Sequence, residues 1–449
     1  MSLAFFRDAR PLLGSLRPLV PAACSVLAVA TVIFVSLSNV QAASFAAAPQ
    51  ALTPNVIEPA APLTLTAALR LALQANPDLS AARQETAAAE GQVMQAGASP
   101  NPDLSLQVED LRKDTRTTTL LVNQALELGG KRNARITAAE RGRDAAQADL
   151  AAKRAEIRAA VISAFFDVAA AQERLRLSQV SLELAQHATT AAAHRVAAGK
   201  ISPVDETKAR VAEATVRLEL NQANGELTTA RKRLTALWGN PSPRFDRAES
   251  QFEALPILPA LTELQARAGQ APALMRAQIE VERRIALVQV EQSKRTPDLT
   301  LSVGVKRAED LGRNQAVLGV SVPLPLFDRN QGNLFEALRR TDKARDELSA
   351  SRLRVDTDTA QAYERYANAR QEAEALRQEI LPGAQTAYDA ATKGFKFGKF
   401  GFLDVLDAQR TYLQAKSQYV RALLDAYHAA AEIDRILGDD SLIEHFAAP

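Results

Sequence analysis

Asp103-Leu104-Ser105-Leu106-Gln107-Val108-Glu109 puts an apolar side chain at every second position, and Leu299-Thr300-Leu301-Ser302-Val303-Gly304-Val305 does so again about 195 residues later. Alternation with a period of two marks a strand that has one apolar and one polar face. Returning strands are expected at about 117–128 and 315–326, joined to the first ones by polar loops containing Lys113-Asp114 and Asp310-Leu311-Gly312. Four strands of about ten residues fit either a small packed sheet or a share of a transmembrane barrel.

Outside these hairpins the 449-residue chain reads as helix: aromatic residues make up only 5%, Gly and Pro are sparse, and alanine runs such as 87–89 and 191–193 recur. Landmarks repeat in order. Asn76-Pro77-Asp78-Leu79 answers to Ala271-Pro272-Ala273-Leu274, Asn101-Pro102-Asp103-Leu104 to Thr296-Pro297-Asp298-Leu299, Ala198-Gly199-Lys200 to Phe397-Gly398-Lys399, and Leu237-Trp238-Gly239 to Ile436-Leu437-Gly438. The chain is therefore internally duplicated, with repeats at 63–240 (hairpin 103–128) and 257–438 (hairpin 298–326) and a tail at 439–449; so long a period excludes a solenoid. Each repeat is expected to run helix, two strands, very long helix, turn, helix. The first helices are expected at 66–98 and 260–294, both ending before an X-Pro step. From Gly130 to about Val196 nothing interrupts a helix of roughly 65 residues, about 100 Å long. Its counterpart from Gly332 meets Pro382-Gly383, which should kink or divide it. The closing helix carries a coiled-coil seam at 403, 406, 410, 413, 417, 420, 424, 427 and 431, apolar except at Arg410 and Ser417.

At the N-terminus Arg7, Arg10 and Arg17 precede an apolar run at about 22–37, followed by Val40-Gln41-Ala42. This reads as an export signal at 1–42, cleaved after Ala42, with a membrane anchor as the alternative. A Pro-rich leader at 43–62 follows. Cys24, the only cysteine, falls within the signal, and its removal leaves equal numbers of basic and acidic residues. A neutral chain offers no basic excess for nucleic acid.

Export, and helices too long for a globular core, favour the membrane for the four strands. Lipid tolerates no unpaired sheet edge, and four strands cannot close a barrel, so subunits must associate. A cyclic trimer would supply twelve strands, with the helices continuing as a tube.

The duplication, the paired hairpins, the long helical pairs and the turns Gly199-Lys200-Ile201 and Gly398-Lys399-Phe400 resemble the TolC-like outer-membrane factors across essentially all of the mature chain. Glu127-Leu128-Gly129-Gly130-Lys131-Arg132 and Pro323-Leu324-Pro325-Leu326-Phe327-Asp328-Arg329-Asn330-Gln331-Gly332 are similar to the CzcC-like heavy-metal branch. The resemblance implies a mainly α fold with a small β part: a homotrimeric twelve-stranded transmembrane β-barrel, four strands per chain, continued by a long periplasmic α-helical barrel. It also implies an outer-membrane channel subunit of a tripartite RND-type efflux system. The implied partners are a periplasmic adaptor (membrane fusion protein) and an inner-membrane RND transporter, and the cargo is heavy-metal cations conducted passively. A multidrug or type I secretion duct is the alternative within this class; a non-pore periplasmic coiled-coil structural or adaptor protein is the alternative outside it.

Gly199 and Gly398 suit the left-handed position that ends a helix, and Pro203 the first turn of the next. The resemblance makes Gly199, Lys200, Gly398 and Lys399 the adaptor-docking tips. Asp404 and Asp407 start the final helix one turn apart, where carboxylates favour the helix dipole; in a three-fold tube each becomes a ring of charge. The resemblance places gate carboxylates at both, and a constriction-pairing aspartate at Asp205. Phe400 stands where the best-known member of the family has an arginine in its closed-gate network, so a latch here is expected to be hydrophobic, through Phe395 or Phe400. His187, His194, His428 and His445 lack the partners of a tight metal site, and no catalytic constellation, nucleotide motif or cofactor-binding pattern is present.

Overall fold

The computed structural model describes residues 62–250 and 252–439. The expected signal (1–42), almost all of the leader and the tail beyond Asp439 lie outside the described residues, as do Cys24 and His445. The elements run β1 (Leu63–Thr64), α1 (Leu65–Ala75), α2 (Pro77–Ala96), β2 (Asp103–Glu109), β3 (Thr117–Leu126), α3 (Lys131–Ala197), α4 (Pro203–Ala236), β4 (Ala248–Glu249), α5 (Leu261–Ala268), α6 (Pro272–Ser293), β5 (Leu299–Ala308), β6 (Arg313–Ser321), α7 (Gln331–Ala375), a π-helical turn (Leu376–Ile380), α8 (Leu381–Lys396) and α9 (Phe402–Leu437). Among the described residues no helix is long and apolar enough to cross a membrane.

β2, β3, β5 and β6 form one antiparallel sheet in that order. Its register aligns Leu104 with Val122, Val122 with Val303 and Val303 with Leu318; it aligns Leu106 with Leu120, and Leu120 with Val305. One face is thus mainly Leu and Val, with Gln124 and Ala316 among them and Thr118 and Arg307 at one end. The opposite face carries Ser105, Gln107, Thr119, Asn123, Ser302, Lys306 and Gln315. The apolar face is the exposed one: Leu318 is 80% accessible in the single subunit and Leu104 71%. A packed soluble sheet would bury that face. Close pairing of β3 with β5 requires Gly304, since a Cβ there would stand 1.9 Å from the Leu120 carbonyl oxygen. β6 stops at Ser321, short of the expected 326, because Pro323 and Pro325 have no N–H to donate to a ladder.

Each strand continues into a helix. The helices α2, α3, α6 and α7 pack side by side in the order of the strands β2, β3, β5 and β6. The junctions are tied across the two halves: Lys131 Nζ lies 2.6 Å from Asp298 Oδ1, which also accepts the Leu128 N–H at 3.1 Å, and Arg135 pairs with Glu127. Gly129 has φ +69°, and a Cβ there would approach Thr296 Cβ to 2.6 Å, so the turn demands glycine for both reasons. On the second half Asn330 takes the left-handed conformation (φ 57°) and donates from Nδ2 to the Glu291 carbonyl at 2.8 Å. The two motifs that carry the branch resemblance are therefore the hinges between sheet and helices.

One more expectation is corrected by the structure. The first helix of each repeat is broken, at Asn76 and at 269–271. Proline is tolerated at the first position of a helix, so Pro77 and Pro272 each open a new one. Asn76 caps α2 by accepting the Leu79 N–H at 2.9 Å, and donates to the Leu237 carbonyl at 2.8 Å. At Pro382 the expected interruption takes the form of a π-helical turn, which separates α7 from α8. One turn of π-helix, with the Leu381 N–H bonded to the Leu376 carbonyl, takes up the extra residue and leaves proline in the first turn of α8.

The core lies where α3 and α9 cross, around Phe165, Phe166 and Tyr427, with the Phe166 and Tyr427 rings stacked at 3.6 Å. Here Arg158 (2% exposed) and Asp434 (0%) form a bidentate pair at 2.7 and 3.0 Å. Along the seam of α9 Val420, Leu424, Tyr427 and Ala431 are buried and Leu406 and Leu413 half-buried, whereas Arg410 and Ser417 are exposed. The short parallel pair of β1 with β4 was not expected; two residues carry no periodicity.

Candidate gate and docking tips

The far ends of the two helical hairpins close by one hydrogen-bond pattern. In the first, Lys200 N–H bonds the Arg195 carbonyl at 2.9 Å and Gly199 N–H the Val196 carbonyl at 2.9 Å. In the second, Lys399 N–H bonds the Gly394 carbonyl at 2.8 Å and Gly398 N–H the Phe395 carbonyl at 3.1 Å. Gly199 (φ +67°) and Gly398 (φ +71°) supply the left-handed residue this motif needs. The restarts differ. Ser202 caps α4 through its hydroxyl, which accepts the Val204 N–H at 3.2 Å, with Pro203 following. Gly401 has no side chain to cap α9, and the Asp404 carboxylate reaches back to accept its N–H at 2.8 Å.

Asp404 is therefore partly committed to holding its own helix end. Asp407 is exposed and, with Leu406 and Arg410, faces Val204, Lys208 and Val211 of α4 across an open cleft. Asp205 sits half-buried in the first turn of α4, and among the described residues no hydrogen bond or ion pair joins it to Asp404 or Asp407. Lys200 and Lys399 stand exposed on the turns, with no ion-pair partner among the described residues. Phe400 is half exposed, and its ring lies against Gly394 of its own hairpin, where a Cβ would come within 2.1 Å of Cδ2. It fills the space a side chain at 394 would need.

The contact that joins the two hairpins was missed from sequence. The Arg195 guanidinium lies 3.8 Å from the centre of the Phe395 ring and donates to the Phe395 carbonyl at 3.0 Å. Around it Ala192 and Ala209 are buried, with Ile201, Phe395 and Leu406 packed on them. One signal was available: Arg195 precedes Gly199 by four residues, and Phe395 precedes Gly398 by three, so both occupy the last turn before a chain reversal. Arginine in a last helical turn suggests only a dipole contact.

The histidines stand apart. His187 is exposed beside Glu183 on one helix face. His428 bonds Asp167 at 3.0 Å between α9 and α3, and that carboxylate holds its imidazole above the usual histidine range although burial opposes it. Among the described residues no three His, Cys, Asp or Glu are grouped so as to hold a metal ion.

Known proteins share this architecture. The model of the family described as outer membrane efflux protein matches twice, at residues 68–240 and 264–439, one match to each half. The cobalt-zinc-cadmium resistance protein CzcC of Cupriavidus metallidurans is 52% identical over 381 residues, covering 85% of this chain and 91% of its own. The nickel-cobalt-cadmium resistance protein NccC of Alcaligenes xylosoxydans xylosoxydans is 28% identical over 64% of this chain and 67% of its own. Among solved structures the outer membrane protein VceC of Vibrio cholerae superposes with a TM-score of 0.71 at 22% identity, covering 83% of this chain and 96% of that one. Duplicated sequence, four-stranded sheet and long paired helices have one explanation, and the chain belongs to the outer membrane efflux protein family.

Proposed function

We propose that three copies of the chain close a twelve-stranded barrel in the outer membrane, continued into the periplasm by a helical tube. Through it heavy-metal cations leave the cell, delivered by an inner-membrane RND transporter by way of a periplasmic adaptor. The observation that carries the barrel is the sheet itself: its apolar face is bare, and β2 and β6 each have one unpaired edge. In hydrocarbon every unpaired backbone group costs several kcal/mol, so such a sheet needs a neighbour on both edges. Three four-stranded sheets satisfy this in a cyclic ring. The 52% identity to a cobalt-zinc-cadmium resistance protein supports a metal cargo.

Within this reading the tips bearing Gly199, Lys200, Gly398 and Lys399 meet the adaptor. Asp404 and Asp407 become two rings of three carboxylates near the periplasmic mouth, with Asp205 lining the same end from the first hairpin. The Arg195–Phe395 contact holds the second hairpin against the first and limits how far the mouth opens, while Phe400, packed on Gly394, stiffens the tip of its own hairpin. A strain lacking the gene is expected to lose tolerance of cobalt, zinc or cadmium, to keep its tolerance of hydrophobic drugs, and to recover on complementation. The opposite pattern would assign the duct to drug export.

A further inference from the structure

The apolar parity of β6 does not end with its hydrogen bonds. Ala316, Leu318 and Val320 are followed at the same spacing by Val322, Leu324 and Leu326, with Pro323 and Pro325 between them. Val322, Leu324 and Leu326 are all exposed, and Phe327 beyond them is 91% accessible. A strand of nine residues spans about 30 Å, so this extension stands where hydrocarbon gives way to headgroups. There it meets the start of α7, whose Phe335 and Leu338 are also exposed. Leu326 and Phe327 together with Phe335 and Leu338 wall a groove of about 510 Å³.

Two guanidiniums flank this apolar groove: Arg295, from the turn after α6, and Arg329, from the loop before α7. Neither has a carboxylate at ion-pair distance among the described residues. The nearby acids are engaged elsewhere. Glu291 takes Lys294 at 2.7 Å and Asn330 at 2.7 Å, while Asp328 accepts the Asn330 N–H at 2.8 Å. Among the described residues the Arg329 guanidinium donates only to the Pro325 carbonyl, at 3.3 Å. Paired arginines beside exposed aromatic and aliphatic side chains at a membrane boundary complement a phosphate that carries acyl chains.

We propose that this groove is a phospholipid site, in which Arg295 and Arg329 hold the headgroup phosphate while Leu326, Phe327 and Phe335 lie along the first part of an acyl chain. The inference rests on the sheet being embedded in lipid. A lipid so held would fasten each subunit at the depth where barrel becomes tube.

The full chain, extracted in detergent, is tested by native mass spectrometry after addition of phosphatidylglycerol, or of diacylglycerol with the same chains. The probe is compared between the native protein and Arg295→Gln/Arg329→Gln. The native protein is expected to retain phosphatidylglycerol about tenfold better than the double variant, equivalent to one strong charge-assisted contact. Diacylglycerol should not distinguish the two proteins, and inorganic phosphate should not displace the lipid. Equal retention of phosphatidylglycerol overturns the proposal. So does displacement by inorganic phosphate, which would make this a free-anion site, or collapse of the double variant to monomers, which would make it a subunit contact. The single Arg329→Gln variant, altering an exposed loop residue, should give an intermediate loss. Heat-sensitive oligomer migration of the native sample reports membrane insertion separately, so failure of lipid retention alone leaves the barrel standing.

Discussion

Asp404 illustrates how one carboxylate serves two ends. Its bond to the Gly401 N–H replaces the side-chain cap that glycine cannot provide, and losing such a cap costs about 0.5–2 kcal/mol. Replacement by alanine would therefore confuse helix fraying with loss of charge. Asparagine keeps an acceptor oxygen and removes the charge, so Asp404→Asn/Asp407→Asn isolates the electrostatic contribution. In planar bilayers this double variant is expected to show lower cation preference with unchanged oligomer assembly. Selectivity equal to the native channel's would remove both residues from the gate. Gly394 and Phe400 make a second residue-scale pair: the ring occupies the place of the missing Cβ, so Phe400 is a packing element of its hairpin before it can be anything else.

Between elements, the most deeply buried ion pair among the described residues is Arg158–Asp434, which joins α3 to α9 inside the core and spans 276 residues of chain. A buried pair of this kind is a poor source of net stability, since desolvating both charges offsets much of their attraction. Breaking it is different, because one charge is then left buried alone. Arg158→Met is expected to cost about 3–5 kcal/mol, and Arg158→Met/Asp434→Leu to recover most of it. The measurement is the temperature at which the detergent-extracted oligomer dissociates; a single variant as stable as the native protein would refute the assignment. The sequence disclosed these elements unevenly. Strands and the 67-residue helix were legible because alternation and an absence of breakers persist over many residues. The breaks at Asn76 and 269–271 were not, because a proline that opens a helix and one that ends it look alike until the partner is known. That partner is itself a landmark. A Cβ on Gly239 (φ +75°) would stand 3.9 Å from Pro77, and one on Gly438 (φ +67°) 2.5 Å from Pro272, so two of the duplicated motifs come together in each half. The Arg195–Phe395 contact was hidden for a related reason: its residues are 200 apart, and only the folded tip brings them together.

At the scale of the molecule the decisive asymmetry is between the two faces of one sheet. Leu318 and Gln315 lie three residues apart on β6 but on opposite faces, and that separation yields a test that needs no ligand. If the sheet is a third of a barrel, Leu318 meets hydrocarbon, and Leu318→Arg is expected to cost about 2–4 kcal/mol near the membrane midplane, lowering the yield of assembled, heat-sensitive oligomer in the outer membrane. Gln315→Arg, pointing to the water-filled interior, should leave assembly intact and change only conductance. A soluble sheet makes the opposite forecast, because covering an 80% exposed leucine position with arginine would improve solubility at no cost in folding. Comparing both variants in the same membrane fraction controls for expression and for the added charge. Equal assembly of the two would show that lipid does not touch the Leu and Val face. The bare edges of β2 and β6 would then need a partner other than neighbouring copies in a bilayer.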